Sequence, residues 1–328
     1  MTLLLGATGL LGHNVLKLLL QGSRRVRIVV REGSEVDASV IETARPGQLD
    51  VIRGSILDDA VLERAVEGCS EVINCAGVTD MSLPRIEDYR PVNTELPLRL
   101  AGMLNNGSGG VLVDVSTANT VCPGTADAPA TEDSPFGGPF AASLYARSKR
   151  ESEKLLLDFA QVHRRTRIVI LLPGFMIGPY DRKPSSGKLL DAAWRKPVMA
   201  VPPGGKSFID ARDVAAAAVA ALSNPLAQGR YLTTGKALSL KEFYEIQARV
   251  CGYRQVAVPA PRKLCLAVGS VGDRIERGGR ATSATSRNIR QLLIDEYYDD
   301  SRARKDLGLS HTPIEQSIKD YFDYAAHR

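Results

Sequence analysis

Residues 1–19 read MTLLLGATGLLGHNVLKLL, and this stretch decides the fold class of the chain. The run of residues 2–5 is short, apolar and followed by glycine, as in a buried strand. From Leu10 the apolar residues recur at helical spacing, which predicts a helix directly after the turn. Three glycines, Gly6, Gly9 and Gly12, lie at the turn and the helix start. A strand, a glycine turn and a helix in this order predict the first unit of a parallel α/β sheet.

The three glycines have separate predicted tasks. Gly6 permits the tight turn off the strand, Gly9 lets the backbone approach a pyrophosphate without an intervening Cβ, and Gly12 lets the helix pack close to the strand. The helix start presents free N–H groups and the positive end of its dipole to the phosphates. The residues predicted to hold a dinucleotide diphosphate here are Gly6, Thr8, Gly9, Leu10, Leu11 and Gly12.

Short β-rich runs alternate with helical patterns through the first half of the chain. Because parallel strands need crossover connections, this alternation predicts a doubly wound parallel sheet of the Rossmann type. The predicted strands are residues 2–5, 26–30, 49–53, 71–75, 110–116 and 167–172, and the predicted helices are residues 10–21, 59–67, 86–105 and 141–163.

The second half predicts a smaller, mostly helical domain that holds the substrate. One more helix and strand, within about residues 208–235, are expected to join the sheet, whereas helical patterns dominate after Leu238. The basic segment 269–287 has no predicted place in this scheme. The predicted division assigns residues 1–173 and about 208–235 to a dinucleotide-binding domain, and residues 174–207 and 236–328 to a substrate domain.

Composition indicates a soluble globular enzyme. The chain has 328 residues, 44% hydrophobic and 24% charged, and its net charge of +5 is spread over both halves, so we expect no nucleic-acid partner. The longest apolar run, IVILLPGFMIG, is too short and too interrupted to span a bilayer, and the start of the sequence does not resemble a signal peptide. We therefore expect a cytoplasmic protein with no membrane partner.

Cysteine and histidine positions argue against a metal centre. The five cysteines are scattered, without the CxxC pairs of a zinc site, so reduced and mostly buried thiols are expected. The four histidines lie far apart with no ligand spacing, and no metal is expected.

The sequence YARSK predicts a pair of groups for proton transfer. Tyr145 and Lys149 lie four residues apart, which places both on one face of a helix. The ammonium of Lys149 favours the tyrosinate form and is expected to lower the pKa of the phenol, so that Tyr145 can exchange a proton with an alcohol or a carbonyl. A solvent-exposed helix face with no such role is the structural alternative.

The sequence VSTANT predicts a hydroxyl group beside Tyr145. Ser116 and Thr117 follow a buried strand, at the sheet edge where ligands of open α/β folds bind. One of these hydroxyls is expected to polarise the substrate oxygen, and the residues alone leave the choice between Ser116 and Thr117 open.

Together these motifs resemble those of a known enzyme family. GATGLLG with its Gly-x-x-Gly-x-x-Gly spacing, VSTANT, YARSK, LLPGFMIGP and FIDARDVA resemble the extended short-chain dehydrogenase/reductases of the NAD-dependent epimerase/dehydratase superfamily, in the dihydroflavonol reductase-like branch. The resemblance covers essentially the whole chain. It implies that Thr117 stands at the position of the family's catalytic serine, and that Lys149 also bonds the hydroxyls of the nicotinamide ribose.

The resemblance also assigns residues to the rest of the cofactor. Arg31 stands where NAD-preferring relatives carry an acidic residue, and a guanidinium there suits a 2′-phosphate. Ser55 replaces the family's usual aspartate near the adenine, which implies weaker recognition of that base. The other residues implied to line the cofactor are Ile56, Cys75, Ala76, Gly77 and Pro173.

These observations predict an NADP(H)-dependent oxidoreductase that interconverts a carbonyl and a secondary alcohol on a small, apolar or aromatic substrate. NAD(H) remains possible as the cofactor, and the oligomeric state is expected to be monomer or homodimer. The alternatives are a sugar-nucleotide epimerase or dehydratase, a hydroxysteroid dehydrogenase, and a catalytically silent sensor of NADP(H). The predicted substrate pocket contains Thr79, Met81, Asn119, Phe175 and Met176.

Overall fold

The computed structural model describes residues 1–107, 109–182, 186–280, 282 and 284–326. Residues 183–185, which the sequence analysis assigned to the substrate domain, lie outside the described residues. The same holds for residues 281 and 283 of the basic segment.

The central sheet has seven strands, all parallel, in the order β10-β6-β5-β4-β1-β2-β3. The chain adds β2 and β3 on one side of β1 and β4, β5 and β6 on the other. The helices after β1 and β2 lie on one face of the sheet and those after β3, β4 and β5 on the other, as in a doubly wound sheet. The strands are β1 (Thr2–Leu5), β2 (Val26–Val30), β3 (Leu49–Arg53), β4 (Glu71–Asn74), β5 (Gly110–Val115), β6 (Thr166–Pro173) and β10 (Gly229–Thr233).

Helices cover both faces of this sheet, which confirms the predicted fold class. One face packs against α1 (Leu10–Gln21) and α7 (Ala211–Ser223), and the other against α3 (Asp59–Val66), α4 (Leu96–Asn106) and α5 (Leu144–Val162). The predicted helix 86–105 is interrupted, because a π-helical turn at Pro91–Glu95 precedes α4. The short helix α2 (Ala38–Ile41) follows β2.

The remaining elements form a smaller unit that is mostly helical. Strand β9 (Gly205–Asp210) pairs with β11 (Lys236–Ser239) on one side, and with β7 (Phe175–Ile177) and β13 (Asp295–Glu296) on the other. A two-stranded sheet joins β8 (Val198–Val201) to β12 (Val256–Pro259). The helices of this unit are α6 (Gly187–Ala193), α8 (Leu240–Val250), α9 (Arg262–Arg277), α10 (Ser286–Gln291) and α12 (Ile314–Ala326). Helix α11 (Ser301–Leu307) instead packs against α7 and against β10 of the main sheet.

Aromatic side chains make the core of this smaller unit. Phe208 of β9 stacks on Phe243 of α8 with ring centroids 4.2 Å apart, and Tyr321 of α12 is buried in the same cluster. The sequence analysis missed β7 to β9 and β11 to β13, because strands of two to six residues leave little periodicity to detect. The predicted domain boundaries stay a prediction. Within the described ranges, no helix combines the length and the apolar character needed to cross a membrane.

Candidate active site

The glycine loop lies at the carboxyl end of β1. Gly6 has a φ of +78°, and a Cβ there would lie 2.6 Å from the Ala76 nitrogen, while a Cβ at Gly12 would lie 2.0 Å from the Gly6 oxygen. The packing of the chain itself therefore requires these two glycines. A Cβ at Gly9 would lie 3.5 Å from the Gly6 oxygen, an ordinary contact. The glycine at position 9 thus leaves space that the protein does not fill.

The start of α1 faces this space. Gly9 is the N-cap, and the first turn carries Leu10, Leu11 and Gly12, whose N–H groups lack intrahelical acceptors as in any helix start. The half-buried Thr8 lies beside them in the turn. The open position at Gly9 and the free donors together fit the diphosphate of a dinucleotide.

The turn after β4 brings the glycine loop next to Lys149. Cys75 donates its backbone N–H to the Leu5 oxygen at 3.0 Å, and Ala76 touches Gly6 as described. A Cβ at Gly77 would lie 3.6 Å from the Lys149 Nζ, so glycine at this position keeps the ammonium accessible from the turn.

The side chain of Asn93 holds the turn after β4 in place through three hydrogen bonds. Its Oδ1 accepts from the Val78 N–H at 2.8 Å, and its Nδ2 donates to the Val78 oxygen at 3.0 Å and to the Ser148 Oγ at 3.1 Å. Asn93 lies in the π-helical turn and Ser148 in α5, so this side chain joins the β4 turn to the helix that carries Tyr145 and Lys149. The role of Asn93 is therefore structural.

The structure separates the two candidate hydroxyls. The Thr117 hydroxyl forms a hydrogen bond with the phenol of Tyr145, and its Oγ1 also accepts from the Asn119 N–H at 3.3 Å. The Ser116 hydroxyl instead donates to the Glu153 carboxylate on α5. Thr117 therefore faces Tyr145, whereas Ser116 is engaged elsewhere.

The pKa of Tyr145 differs from the sequence-based expectation. Burial of the phenol raises this pKa to about 12, and the hydrogen bond with Thr117 opposes the shift only in part. Lys149 was expected to lower the pKa of Tyr145, and this effect is not found. The ammonium of Lys149 instead donates to the Val115 oxygen at 2.8 Å. The phenol of Tyr145 is thus protonated at neutral pH.

Lys149 lies in a buried and charged environment. Burial lowers the pKa of Lys149, while the carboxylates of Asp114 and Glu153 act in the opposite direction. Asp114 on β5 accepts from the Asn74 Nδ2 at 2.7 Å, and burial raises the pKa of Asp114. An ammonium has three donors, so the bond to Val115 leaves donors for a ribose hydroxyl.

Glu153 anchors α5 to the sheet. Its carboxylate is fully buried and receives the Ser116 hydroxyl, and the Arg230 Nε lies 2.9 Å from its Oε2. The Arg150 Nη1 lies 3.2 Å from the same oxygen. Sequence reasoning missed Glu153 and Arg230, although a glutamate one helical turn after Lys149 shares its face of α5.

The predicted adenosine side of the site is open by comparison. Arg31 follows β2 and is exposed, and Ser55 follows β3, where its Oγ accepts from the Leu57 N–H at 3.2 Å. Arg53, the last residue of β3, pairs in register with Val30 and donates to the Ser34 oxygen at 3.4 Å. Parallel pairing of β2 with β3 therefore puts a second exposed cation, Arg53, at the same end of the sheet edge as Arg31. Sequence reasoning overlooked it, although the strand register could have revealed it.

The predicted pocket residues fall into separate groups. Thr79 and Met81 lie in the turn after β4, and Asn119 follows Thr117. Phe175 packs in the aromatic core of the smaller unit, whereas Met176 packs against the core beneath the main sheet. Adjacent strand residues point to opposite faces, so the structure does not bring Phe175 and Met176 together.

Two further residues of the predicted cofactor site, Pro173 and Ile56, lie at or shortly after the carboxyl ends of β6 and β3. Pro173 ends β6 and pairs in register with Thr233 of β10. The half-buried Ile56 packs against the core on the sheet face that α3, α4 and α5 cover. Among the residues that the structure describes, no group of three His, Cys, Asp or Glu side chains is placed to hold a metal ion.

Comparison with known proteins defines the class. A profile of the NAD dependent epimerase/dehydratase family matches residues 2–232, well over half of the chain, and the chain belongs to this family. Membership indicates an enzyme of the oxidoreductase type that uses a nicotinamide cofactor, and it confirms the resemblance to the extended short-chain dehydrogenase/reductases.

Two curated proteins give more particular relatives. "Sterol demethylase protein B" of Methylococcus capsulatus is 26% identical over 97% of this chain and 96% of its own length. "Putative dihydroflavonol 4-reductase" of Synechocystis is 30% identical over 54% of this chain and 52% of its own length. The second relative agrees with the branch that the motifs indicated.

Solved structures share the fold. The crystal structure of gox2253 is 22% identical with a TM-score of 0.81, covering 100% of this chain and 98% of that one. The UDP-glucose-4-epimerase of Stenotrophomonas maltophila, solved with NAD and formylated UDP-arabinopyranose, is 19% identical with a TM-score of 0.77, covering 99% and 98%. At these identities the likeness describes the fold alone.

Proposed function

We propose that this chain is an NADP(H)-dependent reductase that interconverts a ketone and a secondary alcohol on an apolar substrate. The observation that carries the proposal is the grouping of Thr117, Tyr145 and Lys149 beside the glycine turns at Gly9 and Gly77. A phenol bonded to a hydroxyl, near a buried ammonium and a dinucleotide-shaped space, is suited to proton transfer coupled to hydride transfer.

Each residue has a defined part in the reaction. When bound, the nicotinamide supplies or accepts the hydride. Tyr145 donates its proton to the carbonyl oxygen during reduction, and Thr117 donates a hydrogen bond to the same oxygen as negative charge develops on it. Lys149 holds the ribose and stabilises negative charge on the phenol after the proton has left. Because burial raises the pKa of Tyr145 to about 12, the protonated form needed for reduction persists through neutral pH.

The cofactor preference rests on Arg31 and Arg53. Two exposed guanidinium groups at the ends of β2 and β3 suit the 2′-phosphate of NADP(H). The free ribose hydroxyl of NAD(H) is instead bound by an acidic residue in proteins of this fold. The Stenotrophomonas maltophila epimerase, which shares the fold, was solved with NAD bound. The phosphate preference is therefore a specific expectation for this chain and not a property of the fold.

An apolar substrate is supported by two observations. The relative that aligns along nearly the full chain is named for sterol demethylation, which involves an apolar polycyclic molecule. Met81, in the turn after β4, and Phe175, which packs against the aromatic core of the smaller unit, are half-buried apolar side chains of the predicted pocket. A sugar nucleotide, by contrast, needs a site for its own diphosphate.

The test is a panel of ketones and secondary alcohols, assayed with NADPH and NADH and followed by the absorbance of the reduced nicotinamide. We expect turnover with steroid-like or aromatic ketones, at a higher kcat/KM with NADPH. UDP-glucose and UDP-glucuronic acid form a matched arm, assayed for epimer formation with NAD. Light scattering of the same preparation determines whether the protein is a monomer or a homodimer.

Each result has a distinct meaning. Epimerisation of a UDP-sugar without turnover of ketones would contradict the proposal and favour the epimerase alternative. Tight binding of NADPH without turnover of any ketone or alcohol would favour a cofactor sensor.

A further inference from the structure

Helix α9 presents a stripe of apolar side chains to solvent. Leu264, Val268, Val271 and Ile275 are 56%, 45%, 52% and 41% exposed. Their spacing of four, three and four residues places all of them on one narrow side of the helix. A contiguous exposed apolar face of this kind is uncommon in monomeric proteins and marks an interaction surface.

The opposite side of α9 holds it to the protein. A Cβ at Gly272 would lie 2.0 Å from the Ala284 oxygen, so glycine here lets the helix pack closely on the segment before α10. Asp273 accepts from the Ser286 N–H at 2.8 Å, and Glu276 pairs with Arg287 at 3.3 Å. The acidic side chains of α9 are thus bound on the protein side, and the apolar stripe faces outward.

Basic residues border the apolar stripe. At helical spacing, Lys263, Arg274 and Arg277 fall along one flank of it, and all three are exposed. Arg262 and Arg280 add positive charge at the two ends of the helix. An apolar stripe with a cationic border is typical of a helix that lies in the headgroup region of an anionic membrane.

Helix α10 connects α9 to the predicted substrate pocket. The Arg287 Nη2 of α10 donates to the Met81 oxygen at 3.3 Å, which ties α10 to a loop of the predicted substrate pocket. The same helix packs against the turn at Gly138–Ala142, which leads into α5 and Tyr145. The hairpin of α9 and α10 therefore borders the predicted substrate pocket.

Charge and area favour a lipid surface over a second copy of the chain. A symmetric dimer built on this stripe would bring the same cationic border from both copies to one interface. A stable interface also buries roughly 800 Å² per partner, more than four half-exposed side chains offer. An anionic lipid surface complements the charge and accepts a narrow apolar stripe.

We propose that the exposed face of α9 docks this protein on an anionic lipid surface, next to the helix α10 that contacts the predicted substrate pocket. Docking of this kind is interfacial and needs no spanning segment, and it differs from the absence of a membrane partner that composition suggested. The proposal is independent of the proposed function. If the docking proposal and the proposed function both hold, an apolar substrate passes from the lipid surface to the predicted pocket.

The test is co-sedimentation of the full chain with vesicles. Vesicles of phosphatidylcholine are compared with vesicles that contain phosphatidylglycerol as well, at low and at raised salt. We expect binding to the anionic vesicles only, and weaker binding at raised salt because counterions screen the basic border. The double variant Val268→Ser/Val271→Ser should reduce the bound fraction about fivefold or more. Val162→Ser is the matched control, since Val162 ends α5 and is 75% exposed.

A second pair of variants tests the charge. Lys263→Gln/Arg274→Gln should remove the preference for anionic vesicles, while Arg164→Gln, an exposed arginine elsewhere, should leave it unchanged. Absence of binding to anionic vesicles, or binding that Val268→Ser/Val271→Ser leaves intact, would overturn the proposal. A dimer in light scattering that this double variant converts to a monomer would assign the surface to a second copy instead. Turnover of ketones in vesicle-free buffer is measured separately and reports only on the proposed function.

Discussion

Two regions at the carboxyl edge of the main sheet, one after β5 and one after β2 and β3, differ in how far their side chains are buried. At the β5 end, which comprises Thr117, Tyr145 and Lys149, the side chains are buried or half-buried and already bonded to the chain itself. At the β2–β3 end, which comprises Arg31, Arg53 and Ser55, the side chains are exposed.

This difference separates what is preorganised from what a ligand completes. Groups at the β5 end are held by the folded chain, so their geometry exists before any ligand binds. Groups at the β2–β3 end gain their main partners from the ligand. Substitutions at the first end should therefore affect turnover and folding, whereas those at the second should affect cofactor affinity alone.

The largest effect is expected from Tyr145→Phe. The substitution removes the proton donor and keeps the ring, so kcat for ketone reduction should fall about a hundredfold or more, the usual scale for a lost general acid. The dissociation constant for NADPH, measured by fluorescence titration, should stay near that of the wild type. Lys149→Ala serves as the contrasting variant and should impair both turnover and cofactor binding. Near wild-type turnover in Tyr145→Phe would refute the acid/base assignment.

The next effect tests the β2–β3 end. Arg31→Asp should weaken NADPH binding by about ten- to a hundredfold, because it replaces a charge-assisted contact with repulsion of the 2′-phosphate. Binding of NADH should change little, and kcat at saturating cofactor should persist. Titration of both cofactors against the wild type and the variant checks this. Tighter binding of NADH than NADPH by the wild type would contradict the role of Arg31.

A paired comparison tests the choice of hydroxyl. Thr117→Val should lower kcat about tenfold or more, with cofactor affinity nearly unchanged, because the lost group faces the substrate oxygen. Ser116→Ala should keep most of kcat and instead lower the melting temperature, because the buried Glu153 carboxylate loses a hydrogen bond. Initial rates and thermal unfolding of both variants decide the assignment. The reverse pattern would transfer the catalytic role to Ser116.

The smallest effect is expected at Ser55. Ser55→Asp restores the residue that the family's pattern places there, and its carboxylate can accept a hydrogen bond from the adenine amine. A net gain of about 0.5–1 kcal/mol corresponds to cofactor binding tightened roughly two- to fivefold. Calorimetric titration with NADPH is sensitive enough to detect it, and weaker binding would place the adenine elsewhere.

The sequence alone was sufficient to predict the main sheet and its first strand–turn–helix unit. Glycine spacing and the alternation of strands with helices depend on local backbone requirements, and the structure confirms the fold class that they predict. The choice between Ser116 and Thr117 could not be made from sequence, because both hydroxyls lie beyond the strand end and only the packing of α5 decides which one meets Tyr145.

Long-range contacts and electrostatics account for the other differences. Arg230 and Glu153 lie far apart in the sequence, and no local pattern predicts their pairing. The direction of the pKa shift at Tyr145 also depends on burial, which opposes the influence expected from a nearby ammonium. The opposite orientations of Phe175 and Met176 follow from the pairing of β7 with β9, a strand pair too short to recognise in advance.

The ion pair between Glu153 and Arg230 also has a consequence for the order of events during synthesis. Arg230 belongs to β10, which follows every other strand of the main sheet in the chain and pairs with β6. A nascent chain that has emerged only through β6 holds the glycine loop and α5, but the buried carboxylate of Glu153 still lacks this partner, and burial of an incompletely compensated charge is costly. On the ribosome, the glycine loop therefore has its full sequence context early, while α5 reaches its final surroundings only when the edge strand β10 has been synthesised.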